Sequence, residues 1–308
     1  SKKIREVSNI QTIGVTGSAG KTSFKDLLGQ SLSKIENTIY SKNSFNNKFG
    51  IPLSLFKIKK KNHFGVFEIG MDKKGEIENL SKLVRPDVGV ITNISYAHIK
   101  NFSSLNKIAE AKSEIIEQIK NGGSIILNKD DRFYNYFLKK SKKKNLKIVS
   151  YSKNKNSDIK LHKIKKDKSD IKIYVKIKNN IYYFYIKKDL LPYIENILGV
   201  ISILSIYFNI SKLNKKIFYN FQIPDGRGRI YKIKVKNKLI NLIDESYNSN
   251  PLSLDFSIKK FDNLKVKNSK KIVLLSDMLQ LGKKSKKLHI KASYAINNSS
   301  IHKVHVYG

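Results

Sequence analysis

The 308-residue sequence contains no cysteine, which removes disulfide scaffolds, thiolate zinc sites and cysteine nucleophiles in one step. Acidic side chains are scarce: 24 Asp and Glu stand against 61 Lys and Arg, a formal charge of +37. Long apolar runs are missing too. The longest, Ile197 to Phe208, is interrupted by Gly199 and by serines and is too short to span a bilayer. No signal-peptide pattern opens the chain. The expectation is a soluble, cytoplasmic protein without membrane insertion. What is present, 40% hydrophobic and 10% aromatic residues, is enough to bury a real core and excludes disorder throughout.

The positive charge raises the question of nucleic acid. Lysine is scattered along the whole chain beside many Ile and Asn, as an AT-rich coding bias produces, and Arg, the usual reader of base edges, is rare. The basic runs Lys57 to Lys61 and Lys139 to Lys144 fall where loops or solvated helix faces are expected. No nucleic-acid partner is expected; the net field instead favours phosphorylated ligands. A non-catalytic phosphate-loop protein that binds nucleic acid is the contrasting class, and it would lose binding steeply with added salt.

From Gln11 to about Lys153, short apolar runs alternate with amphipathic segments. Strands are predicted at Thr12 to Thr16, Phe64 to Ile69, Val88 to Ile94, Ser124 to Leu127 and Lys147 to Tyr151. Helices are predicted at Lys21 to Ile35, Glu76 to Val84, Asn106 to Ile119 and Arg132 to Lys140. Strands separated by helices of this length form a parallel, doubly wound sheet, whose ligands bind beyond the carboxyl ends of the strands. From Asp158 to Lys188 the pattern changes to alternating apolar and Lys residues, which reads as antiparallel hairpins with one wet face. A helix follows at Ile194 to Asn209. The Gly/Pro-rich stretch Pro224 to Gly228 marks a boundary. Beyond it, strand runs at Ile230 to Val235, Leu239 to Ile243, Lys271 to Leu275 and Lys303 to Val306 alternate with helical segments.

The sharpest motif is Gly14-Val15-Thr16-Gly17-Ser18-Ala19-Gly20-Lys21-Thr22-Ser23, between a strand and a helix. Small residues let backbone N–H groups converge on phosphate oxygens, a helix N-terminus adds its dipole, Lys21 suits the β/γ-phosphates and Thr22 a Mg²⁺ ion. The nearest match to the phosphate-loop pattern is Gly17-x-x-Gly20-Lys21-Thr22, with Val15 where a further glycine is common. Glu68 closes an apolar strand, where a carboxylate is placed to hold Mg²⁺ directly or through water; a solvated acid on an edge strand is the alternative. His98 follows another strand end and fits a ligand or a structural hydrogen-bonder equally. Lys112, in Ala109-Glu110-Ala111-Lys112-Ser113-Glu114, reads by its own neighbourhood as a solvated lysine.

Taken in order, these residues resemble the Mur ligases, ATP-dependent amide-bond-forming enzymes of peptidoglycan precursor synthesis. The resemblance rests on Gly14 to Ser23, Asn43 to Pro52, Phe67-Glu68-Ile69-Gly70-Met71, Arg85-Pro86-Asp87 leading to Thr92-Asn93 and Ala97-His98, Ala111 to Ile115, Leu127 to Asp131, Tyr247-Asn248-Ser249-Asn250-Pro251 and Ser276 to Gly282. It runs from about residue 11 to the end and is most similar to the D-alanyl-D-alanine-adding branch. The reaction it implies is addition of D-Ala-D-Ala to UDP-N-acetylmuramoyl-tripeptide through an acyl phosphate, with ATP and Mg²⁺. The alternative is another Mur ligase or a folylpolyglutamate-synthase-like enzyme.

The resemblance also implies roles. Gly17, Ser18, Ala19, Gly20, Lys21, Thr22 and Ser23 would bind ATP, with Asn196 at adenine, Arg227 at phosphate and Asp244 or Glu245 at ribose. Thr22, Glu68 and His98 would hold metal, joined by Lys112 once carbamylated; Lys21, His98 and Lys112 would be catalytic; Asn46, Asn47, Asn248 and Asn250 would meet substrate. The chain departs from the family at Glu195-Asn196-Ile197-Leu198-Gly199, where a His and a second Asn are lost, and at Asp244-Glu245, where two Asp are usual. The implied fold is α/β: residues 1–224 form a central ATP-binding domain with a mostly parallel sheet flanked by helices and a small antiparallel region, and residues 225–308 form an incomplete, Rossmann-like C-terminal domain. The expected protein is a monomer. Against the family pattern the chain reads as a fragment lacking the N-terminal UDP-binding domain.

Overall fold

The computed structural model describes residues 9–97, 99–167, 170–236, 238–264 and 269–307. Two compact units result. The first comprises residues up to Ile94 and Ile108–Gln222, the second Ser95–Lys107 and Ile223 onward.

The first unit is built on nine strands: β1 (Gln11–Thr16), β2 (Thr38–Tyr40), β3 (Phe64–Glu68), β4 (Val88–Ile91), β5 (Ser124–Asn128), β6 (Lys147–Ser152), β7 (Ile159–Asp167), β8 (Asp170–Ile177) and β9 (Asn180–Ile186). Their order in the sheet is β2-β3-β1-β4-β5-β6-β7-β8-β9. Pairing is parallel from β2 through to the β6–β7 contact, then antiparallel across β7, β8 and β9. The hairpin region thus extends the main sheet. In β8, Ile171, Ile173 and Val175 point into the core while Lys172, Tyr174 and Lys176 alternate outward, the period of two that the Lys-rich pattern foretells.

The helices of this unit are α1 (Lys21–Leu32), α2 (Gly50–Leu55), α3 (Glu76–Val84), α4 (Leu105–Lys112, shared at its start with the second unit), α5 (Glu114–Gln118), α6 (Tyr134–Lys143) and α7 (Ile194–Tyr207). Phe24, Leu27, Leu28 and Leu32 repeat at helical spacing and give α1 its buried stripe. The single helix predicted over residues 106–119 is broken between Lys112 and Glu114, where Ser113 Oγ bonds back to Glu110 O at 2.6 Å. The strand expected to reach Ile94 stops at Ile91, because Thr92 and Asn93 turn their hydrogen bonds to the phosphate loop. Together with the 3₁₀ turn at Lys188–Tyr193, α7 makes a 20-residue helical run. By length and composition that run reaches across a bilayer, which the shorter apolar stretch read from sequence does not; most of it is buried in this unit. At Gly199, an added Cβ would come within 2.5 Å of Phe24, so glycine is what lets α7 press onto α1.

The second unit holds an antiparallel hairpin, β10 (Arg229–Val235) with β11 (Lys238–Asp244), helix α8 (Pro251–Asp262), a parallel pair, β12 (Ile272–Ser276) with β13 (Lys303–Tyr307), and α9 (Ser285–Asn297) between the pair. Its core is thin: Ile258, Met278, Leu281 and Leu288 are buried, whereas Leu239, Leu274, Leu279 and Val306 are more than half exposed.

Candidate active site at the carboxyl edge of the sheet

Beside β1 the strand order reverses: β3 lies on one side, β4 on the other. That is the crevice where doubly wound sheets bind ligands. The loop Gly17–Gly20 leaves the carboxyl end of β1 here and enters α1. Gly17 takes φ +149° and Gly20 φ +77°, both in the region that favours glycine. A Cβ on Gly17 would stand 1.9 Å from Thr92 Oγ1, so the loop runs hard against the end of β4.

Four hydrogen bonds clamp it there. Ser18 N donates to Asn93 O at 2.9 Å and Ala19 N to Asn93 Oδ1 at 2.9 Å. Thr92 Oγ1 and Asn93 Nδ2 both donate to Ala19 O, at 2.8 and 3.1 Å. Lys21 Nζ donates to Gly17 O at 2.9 Å, which folds the ammonium back over the loop it follows.

Next to the loop, Thr22 Oγ1 donates to Glu68 Oε2 at 2.7 Å and lies 3.1 Å from Ser44 Oγ. The other carboxylate oxygen of Glu68 accepts from Asn46 Nδ2 at 2.7 Å. β3 runs between β2 and β1, so Glu68, 1% exposed, is an interior acid and not a solvated acid of an edge strand. Lys112 departs furthest from its local reading. It is 1% exposed, and burial first, then the charge of Lys21, drive its pKa well below the usual lysine range, with Glu68 opposing. A residue that looks solvated among Glu110 and Glu114 is thus a buried amine beside the phosphate loop.

Asn196, on the first turn of α7, faces Gly20: its Oδ1 would be 3.6 Å from a Cβ there. Glu195, which stands where the family pattern has His, is exposed and pairs loosely with Lys153 at 3.4 Å. Asn47 goes elsewhere: its Oδ1 accepts from the N–H groups of Phe49 and Gly50 at the start of α2. Asp131 Oδ2 accepts from Ile94 N at 2.8 Å, bracing the segment after the Thr92-Asn93 clamp. His98 lies outside the described residues.

The remaining predicted residues belong to the second unit. Arg227 stacks over the Tyr247 ring at 4.2 Å. Asp244 accepts from Gly226 N and from Ser246 N and Oγ, and these bonds, led by the Ser246 hydroxyl, hold its pKa below the carboxylate norm. Burial pushes Glu245 up, while Lys260, at 3.8 Å, pulls it down. Asn248 is exposed. Asn250 caps α8, accepting from Leu252 N and Ser253 N in a capping box with Ser253.

Sequence reasoning singled out neither Ser44 nor Lys25 as a site residue, and Thr92-Asn93 only as part of a motif. Asn93 could have been found, since it follows a strand that is parallel to β1 and adjacent to it.

Among the described residues no group of three or more His, Asp or Glu could hold a metal by itself. A hydroxyl and one carboxylate suit Mg²⁺, which keeps several waters and takes its other ligands from phosphate. The donor set therefore fits that ion.

Comparison with known proteins agrees with the fold. The Mur ligase middle domain matches residues 15–203. The UDP-N-acetylmuramoyl-tripeptide–D-alanyl-D-alanine ligase of Buchnera aphidicola subsp. Baizongia pistaciae is 32% identical over 310 residues, covering 99% of this chain and 65% of its own length. That of Rickettsia prowazekii is 30% identical, covering 99% and 67%. In fold, the chain resembles MurF from Acinetobacter baumannii, with a TM-score of 0.87 at 24% identity and coverage of 99% of this chain and 65% of that one. It also resembles the MurF ligase of Thermotoga maritima in complex with ADP, with a TM-score of 0.82 at 22% identity, covering 99% and 68%. The chain spans about 65% of the length of these relatives. With a family match over more than half of its residues and relatives of about 30% identity along nearly all of them, the chain belongs to the Mur ligase family.

Proposed function

We propose that the protein is an ATP-dependent ligase that adds D-alanyl-D-alanine to UDP-N-acetylmuramoyl-tripeptide, a step of peptidoglycan precursor synthesis in the cytoplasm. One observation carries the reading: the phosphate loop, clamped by Thr92 and Asn93, lies beside a joined Thr22–Glu68 pair. The similarity to D-alanyl-D-alanine ligases along almost the whole chain supports the choice of substrates. Monomeric action is part of the proposal.

The reaction brings two anions together, a substrate carboxylate and the γ-phosphoryl group, so neutralising charge is the main task. The amides of residues 18–23 and the N-terminus of α1 bind phosphate oxygens. Lys21 exchanges its bond to Gly17 O for the β/γ-phosphates. Thr22 and Glu68 would hold Mg²⁺, which when bound screens the phosphate charge against the incoming carboxylate. A carboxylate oxygen forms a bond to the γ-phosphorus as the bridging P–O bond breaks, and ADP leaves. The amine of D-Ala-D-Ala then adds to the acyl carbon; collapse expels phosphate, and the ammonium proton passes to solvent.

Burial and the lowered pKa of Lys112 favour an uncharged amine, the form that adds to CO₂. The N–C bond forms, one proton is released, and a carbamate anion replaces a neutral amine beside Lys21, consistent with a second metal site shared with His98. Asn196 by the loop supports an adenine contact, with Arg227 assigned to phosphate and Asp244 or Glu245 to ribose. Asn46 and Asn248 are assigned to substrate; Asn47 and Asn250 join them, Asn47 while accepting two amides at the start of α2 and Asn250 while capping α8.

The test uses the full-length enzyme with ATP, Mg²⁺, the UDP-linked tripeptide and D-Ala-D-Ala. One phosphate is expected per amide formed, and neither product when a substrate is omitted. Lys21→Ala is expected to cut turnover by about 100-fold or more. Near-normal turnover of that variant, or faster reaction with a single amino acid than with D-Ala-D-Ala, overturns the assignment.

A further inference from the structure

Lys25 lies one helical turn beyond Lys21, and the chemistry above makes no use of it. Its side chain is completely buried. A buried ammonium is costly unless all its donors are satisfied. Lys25 Nζ donates to Asp26 Oδ1 at 2.6 Å, to Ser41 O at 2.7 Å and to Asn43 O at 2.9 Å, and sits 5.8 Å from the centre of the Tyr40 ring. An ammonium has three N–H donors, so its capacity is filled.

The two carbonyls belong to one segment, residues 41–46, which leaves β2 and crosses the carboxyl edge of the sheet. Each end of that segment touches the site. Ser41 Oγ accepts from Glu68 N at 3.2 Å, Ser44 Oγ is 3.1 Å from Thr22 Oγ1, and Asn46 Nδ2 donates to Glu68 Oε1 at 2.7 Å. Between them Asn43 takes φ +48°, a turn that places its carbonyl on the ammonium. The helix that starts at the phosphate loop therefore holds, through one side chain, the segment that brackets the Thr22–Glu68 pair.

We propose that Lys25 is a positioning residue: it pins residues 41–46 to α1 and so fixes Ser44 and Asn46 against the Thr22–Glu68 pair that receives the nucleotide's magnesium. The inference rests on the nucleotide–magnesium reading of that pair. Replacing Lys25 alone by an apolar side chain takes a donor from Asp26 and from two carbonyls and costs stability whatever its role. A positioning role therefore shows in the magnesium-linked part of nucleotide binding, and not in stability. Substitutions of groups that orient metal ligands commonly cost 10–100-fold in metal affinity.

The test compares ADP affinity with and without Mg²⁺ in the wild-type protein and in Lys25→Met, by calorimetry. The expected result is that Mg²⁺ tightens ADP binding in the wild type, and that this tightening falls about tenfold in the variant while metal-free affinity changes less than about twofold. Backbone hydrogen exchange supplies the control. Gly70 N donates to Asn46 O, and Ile69 N next to it donates to Val15 O inside the sheet. Release of the segment speeds exchange at Gly70 and leaves Ile69 unchanged. Should Lys25→Met not fold, Lys25→Gln, which keeps two N–H donors on a shorter side chain, takes its place in both measurements. Unchanged magnesium dependence, or equal acceleration at both amides, makes Lys25 a structural lysine and overturns the proposal. Failure of the wild type to bind ADP at all overturns the site reading and this inference with it.

Discussion

Thr22 Oγ1 and Glu68 Oε2, 46 residues apart in the chain, are joined by a 2.7 Å hydrogen bond across the carboxyl ends of β1 and β3. The pairing follows from topology: β1 and β3 are parallel neighbours with Val15 opposite Glu68, so the residues that leave their ends meet. A carboxylate with two accepted hydrogen bonds is poised for a hard cation. In Glu68→Gln the shape is kept and the charge is lost. The expected outcome is at least about a tenfold loss of the Mg²⁺-dependent part of ADP affinity, with metal-free ADP binding nearly unchanged, read by calorimetry. Equal losses with and without metal would assign Glu68 to the loop's structure alone.

Gly17 and Gly20 give a contrast inside one loop. Alanine at Gly17 meets Thr92 Oγ1 at 1.9 Å in a backbone conformation with φ +149°, so Thr92 must leave its bond to Ala19 O. Alanine at Gly20 meets only the end of Asn196, 3.6 Å away. Gly17→Ala is expected to cost about 2–4 kcal/mol and Gly20→Ala about 1–2 kcal/mol, the latter from its left-handed backbone. Urea denaturation measures both. A smaller loss at Gly17 than at Gly20 would mean that the clamp of Thr92 is slack.

The order of strands and helices up to α7 is legible because each strand is an apolar run and each helix carries a stripe at its own period. β2 and α2 are not. The three residues of β2 are only half-buried, and α2 is a six-residue helix with Pro52 inside, flanked by exposed Phe49 and Phe56. The phosphate loop and Glu68 are legible because their chemistry is local: small residues, a lysine, a hydroxyl, an acid closing a strand. Lys25 and Lys112 are opaque for the opposite reason. Nothing next to Lys112 in sequence shows that Lys21 and Glu68 will surround it, and nothing near Lys25 shows that the carbonyls of Ser41 and Asn43 will close over it. In a chain this rich in lysine, a buried one carries no compositional mark. Only the family resemblance singles out Lys112.

The depressed pKa of Lys112 makes a statement about pH. The native state binds its proton less tightly than the unfolded chain, so between the folded pKa and the ordinary lysine value near 10.5 the unfolded state holds more protons. Stability from this group is full above the unfolded value and is lost as pH falls through the folded one. Lys112→Met, which never charges, escapes that loss. Denaturant unfolding across pH 6 to about 10 is expected to show the variant gaining on the wild type as pH falls. A gap independent of pH would mean that Lys112 stays charged in the folded protein.

Asn250 separates a cap from a substrate contact. Its Oδ1 accepts two amides at the start of α8, Ser253 Oγ returns the bond to Asn250 N at 3.0 Å, and Pro251 takes the first helical position. Removing such a cap costs about 1 kcal/mol, and serine or aspartate restores most of it. Asn250→Ala is therefore expected to destabilise the protein by that amount and Asn250→Asp hardly at all. The ligase assay in the full-length enzyme then divides the roles. If the asparagine is only a cap, activity tracks stability and the Asp variant is nearly wild type. A substrate contact through the side-chain amide is lost in Asp and Ala alike, because aspartate caps the helix but has no N–H to donate. A raised KM in Asn250→Asp with unchanged stability is therefore the signature of substrate binding, and normal kinetics in that variant confine Asn250 to the helix end.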